Sequence, residues 1–233
     1  DTDRSRGLGD VYKRQLLKII TDSGTRITMP KDIVLNKKYD KYISNYVYLL
    51  EEGICALNSI TKQGEEKVYL YFRPNRLIGF NQFVVSAEKL NASTPEFSVV
   101  TKTTCTLCQI PYSAFQELIV KNPEFNAFFI ETLADNYNDA LIHFHLMQEE
   151  SVVVRLCHLL FEVSQLRGGK RVVPRFFTYA EMAKYLGCHS VTVSRIMAKL
   201  KQKGYVTKTP SGIAIEQEDA LQELINSESR FQY

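Results

Sequence analysis

The sequence predicts an α+β fold in three parts: an antiparallel β-barrel, a long helix, and two short helices followed by a β-hairpin. Short runs rich in Val, Ile, Tyr and Thr alternate with turn signals before residue 110. An apolar seven-residue repeat follows Pro123, and residues 178–203 have the pattern of two helices joined by a glycine. The predicted parts are a leader at 1–15, the barrel at 16–122, the long helix at 123–150 and a C-terminal domain at 151–233.

The first fifteen residues, DTDRSRGLGDVYKRQ, are polar, lack periodicity and do not begin with Met. We therefore expect them to be a non-native leader and exclude them from the fold. The 233 residues suit one large domain or two of ordinary size, and 45% hydrophobic with 24% charged residues is typical of a soluble globular protein. No apolar run of about 18 residues and no signal peptide is present, so we expect a cytoplasmic protein without a membrane partner.

The barrel is predicted from five strand-like runs separated by turn residues. The runs are TRITM, DIVLN, YVYLLEEGICALNSI, KVYLYF and FSVVTKTTCTLCQI, and one of the turns is Ser93-Thr94-Pro95. Such spacing predicts an antiparallel β-roll or jelly-roll barrel. Cys105 and Cys108 would point to opposite faces of a strand, so the five cysteines fit buried reduced thiols better than a metal or disulfide site.

A short helix at 112–120 precedes a long one that Pro123 opens. Apolar residues recur every seven positions, each followed by another three residues later: Ile130, Tyr137 and Phe144, with Leu133, Ala140 and Met147. This is the pattern of a helix-pairing seam, although the helix could instead lie on its own barrel. A helix of about 27 residues extends about 40 Å, longer than a small barrel covers, which favours a homodimer. A further helix is predicted at 151–166, ending at Gly168-Gly169, with the domain boundary at Glu150-Ser151.

Residues 178–203 predict a helix-turn-helix motif. Thr178 and Glu181 form a capping box, and Gly187 stands where the chain must turn. The second helix begins with side chains suited to base edges and ends with lysines suited to phosphates. The predicted DNA-binding residues are Thr178, His189, Ser190, Val191, Thr192, Ser194, Arg195, Lys199 and Lys201.

Positive charge is concentrated around this motif. Residues 163–208 contain ten Lys or Arg and one Glu, whereas the whole chain carries only +3. Such a segment is typical of a surface that binds a polyanion, although the lysines of an ordinary helical hairpin could also form a solvated face. The following segment, GYVTKTPSGIAIEQ, predicts a β-hairpin that would lie beside the helix pair.

One motif suggests an enzyme. His143, His145 and Glu149 match the H-x-H-x3-E metal motif of cupins. In cupins these ligands stand on strands, whereas here two residues apart on a helix means about 200° around its axis. We therefore expect no metal, cofactor or catalytic residue.

The order of barrel, long helix and winged helix-turn-helix resembles the Crp/Fnr family of bacterial transcription regulators. The most specific segment is GCHSVTVSRIMAKLKQKGYV, residues 187–206, and EEGICAL, residues 51–57, resembles the family's early barrel strands. The resemblance implies a cyclic-nucleotide-binding-like barrel that binds an effector and long helices that pair two subunits. It also implies reading helices on palindromic double-stranded DNA, with half-sites about 34 Å apart, and RNA polymerase as a partner.

The effector pocket is expected at Gly79, Phe80, Asn81 and Tyr137. Cyclic-AMP-binding members of the family carry a Gly-Glu cassette followed by Arg-Ser, but here Phe80 stands at the carboxylate position and no Arg occurs between Arg76 and Arg155. The oxygen-sensing members carry clustered N-terminal cysteines, whereas here no cysteine precedes Cys55. These departures predict a ligand that is neither cyclic AMP nor an iron–sulfur cluster.

The segment from His189 to Arg195 also resembles the chlorinated-aromatic-sensing branch of the family, which implies an aromatic or other organic acid as ligand. Val191, where many members have Glu, would contact thymine methyl groups. The sequence thus predicts a homodimeric, sequence-specific DNA-binding regulator and an activator. The alternatives are a barrel module whose basic tail binds nucleic acid nonspecifically and a cupin-type metalloenzyme.

Overall fold

The computed structural model describes residues 16–36, 45–84 and 96–226. The chain divides into two compact units, Asp1–Asp139 and Ala140–Tyr233. The expected leader and the expected turn Ser93-Thr94-Pro95 lie outside the described residues. The expected boundary after Glu150 lies just beyond the end of the long helix, whereas the two compact units divide within that helix.

The N-terminal unit is an antiparallel β-structure, as predicted. Its described strands are β1 (Thr25–Met29), β2 (Val34–Asn36), β3 (Tyr46–Glu52), β4 (Cys55–Ile60), β5 (Glu66–Phe72), β6 (Arg76–Ile78), β7 (Ser98–Thr101) and β8 (Cys105–Pro111). They form two four-stranded sheets, with the orders β1-β8-β3-β6 and β2-β7-β4-β5.

Strand β3 explains how the layers of this unit are held together. Val47 and Leu49 belong to one buried cluster, and Tyr48 and Leu50 belong to another. Successive side chains of a strand point to opposite faces, so the sheet that contains β3 is apolar on both sides. The second sheet contributes to the cluster on one side, and helices contribute to the cluster on the other.

Those helices are α1 (residues 16–22), α3 (Tyr112–Lys121) and the beginning of α4 (Pro123–Glu149); the short α2 (Asn81–Val84) follows β6. The predicted helices at 112–120 and from Pro123 are present. Asn122 starts α4, because its side-chain oxygen accepts a hydrogen bond from the Phe125 N–H at 2.9 Å. Helix α1 and strand β6 were not predicted. Within the described ranges, no helix is long and apolar enough to cross a membrane.

The two longest predicted runs, YVYLLEEGICALNSI and FSVVTKTTCTLCQI, each contain two strands. Gly53 has φ +96° at the turn between β3 and β4, and a Cβ atom there would lie 2.6 Å from the Thr104 carbonyl oxygen. Only glycine combines this dihedral with so close an approach of another backbone.

The C-terminal unit contains a helix pair and a four-stranded antiparallel sheet. Its elements after α4 are α5 (Val152–Val163), β9 (Gln165–Arg167), β10 (Lys170–Pro174), α6 (Tyr179–Leu186), α7 (Ser190–Gln202), β11 (Val206–Thr209), β12 (Gly212–Ile215) and α8 (Glu218–Asn226). The sheet order is β11-β12-β10-β9, so the predicted hairpin β11–β12 belongs to a larger sheet.

The prediction of one helix over 151–166 was wrong beyond Val163. Ser164 ends α5, and its hydroxyl donates to the Phe161 carbonyl at 2.8 Å. Residues 165–167 then pair with β10 as a strand. Gly168 and Gly169 have φ +56° and +79°, so they form the tight turn of a hairpin and not a helix terminus.

Candidate functional site

The first helix of the helix-turn-helix, α6, begins as the sequence predicts. The Thr178 hydroxyl accepts a hydrogen bond from the Glu181 N–H at 3.2 Å, which satisfies one of the free donors of the first turn. Glu181 is buried, and its carboxylate pairs with Lys184 at 3.1 Å. Thr178 itself is exposed, so it is accessible to a phosphate as well as capping the helix.

The turn between α6 and α7 depends on Gly187. This residue ends α6 in the left-handed conformation with φ +63°, and the Cys188 N–H bonds to the Ala183 carbonyl at 3.2 Å. A Cβ at Gly187 would lie 2.7 Å from the Met147 methyl. His189 follows as the residue that begins α7.

Helix α7 has one apolar face and one exposed polar face. Its buried residues, none accessible to solvent, are Val193, Ile196, Met197 and Leu200. The exposed face begins at the N-terminal end of the helix, and no residue of α7 is acidic. Of the predicted DNA-binding residues at this end, the exposed ones are His189, Ser190, Val191, Ser194 and Arg195; Thr192 is half-buried.

Val191 is the unusual member of this face, because its apolar side chain is 59% exposed. Arg195 lies one turn further along α7 and is also exposed. A guanidinium and an apolar side chain on one helix face match the guanine acceptors and the thymine methyl group of the major groove.

The predicted basic residues differ in their exposure and in their contacts. Lys199 is exposed, whereas Lys201 is half-buried and donates to the Tyr179 hydroxyl at 2.8 Å. Lys201 therefore joins α7 to the start of α6, a role that the sequence did not predict. Lys170 and Arg171 pair with Glu216 and Glu218 at 2.6 and 3.1 Å, so part of the predicted positive charge is neutralised within this unit.

The predicted pairing seam on α4 is partly exposed in the single chain. Ile130, Tyr137 and Phe144 are 59%, 68% and 59% exposed, and Ala140 is also exposed. Leu141 at 47% exposure lies four residues after Tyr137 and three before Phe144, so it extends the same stripe.

Two of the predicted seam residues, Leu133 and Met147, are half-buried in the single chain. Leu133 packs against the buried cluster of the N-terminal unit, and Met147 is half-buried and contacts Arg155. The exposed stripe is therefore spaced by three and four residues through Leu141. Leu133 and Met147 therefore have contacts within their own units, and their place in the pairing seam stays a prediction.

A cavity of about 270 Å³ lies in the N-terminal unit, and all four predicted effector-pocket residues line it. Gly79 and Phe80 come from the segment after β6, Asn81 starts α2, and Tyr137 comes from α4. The rest of the lining was not predicted from the sequence: Leu57, Leu70, Phe72, Leu77, Ile78, Val99, Leu133 and Asn136. Most of these residues lie on strands, and period-2 alternation on a correctly assigned set of strands would have identified them.

The histidines of the cupin-like motif lie on α4, as predicted. His143 packs against the Tyr185 ring with centroids 4.3 Å apart, and Tyr185 donates to Glu162 at 3.0 Å. Burial, with a further contribution from Arg155, lowers the pKa of His143 below its ordinary value. No group of three or more His, Cys, Asp or Glu among the described residues is placed to hold a metal ion.

The cysteines are mostly core residues. Cys105 lies 3.7 Å from Cys55, sulfur to sulfur, in one buried cluster, and Cys108 lies in the other cluster. Burial raises the pKa of Cys108 to about 11 and that of Cys157 to about 12, so both are protonated thiols at neutral pH.

Comparisons with known proteins agree with this geometry. A model of the cyclic nucleotide-binding domain matches residues 29–122, and a model of the Crp-like helix-turn-helix domain matches residues 154–224. The fumarate and nitrate reduction regulatory protein of Escherichia coli K12 is 23% identical over 182 residues, which are 76% of this chain and 70% of that protein.

Solved structures share the fold at lower identity. FixK2 from Bradyrhizobium japonicum has a TM-score of 0.71 at 16% identity, covering 88% of this chain and 99% of that one. OCPA-complexed CprK has a TM-score of 0.58 at 19% identity, covering 89% of this chain and 92% of that one. These likenesses concern the fold.

Proposed function

Because this chain belongs to the Crp/Fnr family of transcription regulators, with a DNA-binding helix-turn-helix, we propose that it acts as a homodimer on a palindromic site and responds to a small molecule in its barrel. Members of the family bind DNA and act as dimers with RNA polymerase. We extend both properties to this chain, with activation as the expected direction and the cytoplasm as the place where it meets DNA.

The observation that carries the proposal is the exposed face of α7. Arg195, Ser194 and Val191 lie together at the end of the helix that can enter the major groove, and no carboxylate on α7 opposes the DNA. Arg195 would contact guanine, and Lys199 and Thr178 would contact phosphates. Lys201 would act mainly by holding α7 against Tyr179.

Pairing of two subunits is supported by the apolar stripe on α4. Tyr137, Leu141 and Phe144 would leave a large apolar surface in water if the chain were a monomer. In a two-fold dimer the same stripe on each subunit covers the other.

A narrower placement, near the chlorinated-aromatic-sensing branch, is supported only by the pattern from His189 to Arg195. This pattern lies on the reading helix, so it bears on which DNA sequence the protein prefers. The chemistry of the ligand depends instead on the residues that line the barrel pocket.

The test is competition binding of the purified protein to DNA. We expect a palindromic A/T-rich duplex selected for this protein to bind about a thousandfold more tightly than random duplex at physiological salt. The affinity for random duplex should fall steeply as the salt concentration rises and should not depend on the DNA sequence. An equal affinity for both would mean that the basic segment binds nucleic acid nonspecifically, and the proposal would be wrong.

A further inference from the structure

We propose that the effector is a compact, uncharged, mainly apolar molecule that carries a hydrogen-bond acceptor. This inference rests on the proposed function, because it concerns the ligand of the same barrel pocket. It differs from both the cyclic nucleotides and the organic acids that the sequence resemblance suggests.

The pocket is lined mainly by apolar side chains. Eight of its side chains are Leu, Ile, Val or Phe, and none of the described residues that line it is charged. Its polar groups are the amides of Asn81 and Asn136 and the hydroxyl of Tyr137. Its volume of about 270 Å³ suits a small ligand, since pockets for drug-sized molecules are roughly 300–1,000 Å³.

The basic side chain of Arg76, next to the pocket, is already paired with two carboxylates. Arg76 lies on β6, just before the pocket residues Leu77 and Ile78. Its guanidinium pairs with Asp139 at 3.2 Å and with Asp135 at 3.4 Å. Two carboxylates around one guanidinium leave a net negative charge, which opposes an anionic ligand.

Asn136 joins this charge group to the pocket. Its side-chain oxygen accepts a hydrogen bond from Arg76 at 3.0 Å. The amide NH₂ of Asn136 can then donate a hydrogen bond to a ligand. A carbonyl or ether oxygen on the ligand fits that donor.

An anion in this pocket would lose its hydration without gaining a cationic partner among the lining residues that the structure describes. The cost of burying an unpaired charge is much larger than that of burying a carbonyl with one hydrogen bond. An uncharged ligand would instead gain from contact with the apolar lining. Because Asn136 and Tyr137 lie on α4, such a ligand would contact the same helix that carries the proposed pairing stripe.

The test uses two nearly isosteric fluorescent probes: 1-anilinonaphthalene-8-sulfonamide, which is uncharged and carries acceptor oxygens, and 1-anilinonaphthalene-8-sulfonate, which is an anion. Fluorescence titration of the full chain should give about tenfold tighter binding of the uncharged probe, a difference of about 1.4 kcal/mol. Equal or tighter binding of the sulfonate would overturn the proposal. So would sulfonate binding that Lys89→Ala abolishes, because Lys89, outside the described residues, would then supply the cation.

Variants locate the site. Leu70→Trp and the milder Leu57→Phe fill the pocket and should weaken the uncharged probe about tenfold, whereas Ile60→Trp adds the same ring at an exposed position and should not. Unchanged affinity in a folded pocket-filling variant would place the probe elsewhere and sink the idea. The double variant Asp135→Asn, Asp139→Asn should increase the affinity for the sulfonate probe only. An unchanged affinity for the sulfonate would show that these carboxylates do not oppose an anionic ligand.

The same samples are tested for DNA binding by fluorescence anisotropy. Loss of the predicted probe preference with sequence-specific DNA binding intact overturns the ligand class alone. The expected probe preference without sequence-specific DNA binding overturns the proposed function and leaves the pocket chemistry standing.

Discussion

Arg195 and Lys199 are both exposed basic side chains of α7, one turn apart, so they form a matched pair. Arg195→Ala should cost about 1–3 kcal/mol at the specific site and relax its sequence preference, because a bidentate guanine contact is lost. Lys199→Ala should weaken all DNA sequences alike and reduce the salt dependence. Competition binding to specific and random duplexes measures both effects. An unchanged ratio of specific to random binding in Arg195→Ala would show that the reading face lies elsewhere.

His143 makes stability depend on pH. It faces Tyr185 of α6 and shares a small cavity with Arg155, His158 and Glu162 of α5. Its folded-state pKa is lowered, mainly by burial, so the unfolded chain binds the proton more readily. Stability is therefore fully present above the unfolded pKa of about 6.5 and is lost as pH falls through the folded value.

Urea unfolding between neutral and mildly acidic pH measures how much the free energy of unfolding changes with the protonation of His143. The wild type should lose more stability on acidification than His143→Gln, although some loss remains because burial also lowers the pKa of His158. Parallel curves for the two proteins would show that His143 does not titrate in this way.

Single residues show what sequence could and could not predict. Thr178 and Gly187 were predictable because a helix cap and a left-handed turn are local requirements. The Lys201–Tyr179 contact joins residues 22 positions apart on two helices, so no local pattern could predict it. The same holds for Arg76 and Asn136, which are 60 positions apart.

Helix α4 is the element on which dimerisation depends. Phe144→Asp places a charge at the C-terminal end of the apolar stripe, which should cost several kcal/mol if the stripe is buried between subunits. His145→Asp, at the next and also exposed position, is the control. Sedimentation should show a monomer for the first and a dimer for the second. A monomeric wild type at micromolar concentration would contradict the pairing role.

Elements were predictable where one periodicity dominated. The seven-residue repeat predicted α4, but α1 and β6 are too short to give a periodic signal. Residues 165–167 continued the helix pattern, and only their pairing with β10 makes them a strand. Tertiary pairing overrides local preference in such short segments.

We expect that cyclic AMP is not the effector of this protein. The buried Phe80 packs edge-on against Phe129 where a ribose-binding carboxylate would be needed, and Arg76 is paired with acidic residues. Calorimetry should show no binding heat up to millimolar cyclic AMP. Micromolar affinity would mean that the assignment of the cassette is wrong.

Two subunits are proposed to read a palindromic site through their α7 helices. Selection from a random duplex library, with the wild type and Arg195→Ala in parallel, tests it most directly. We expect the wild type to enrich an inverted repeat whose half-site centres are about one helical turn, roughly 34 Å, apart, and the variant to lose preference at one position of each half-site. A library that stays random with the wild type, or a site without two-fold symmetry, would contradict the account.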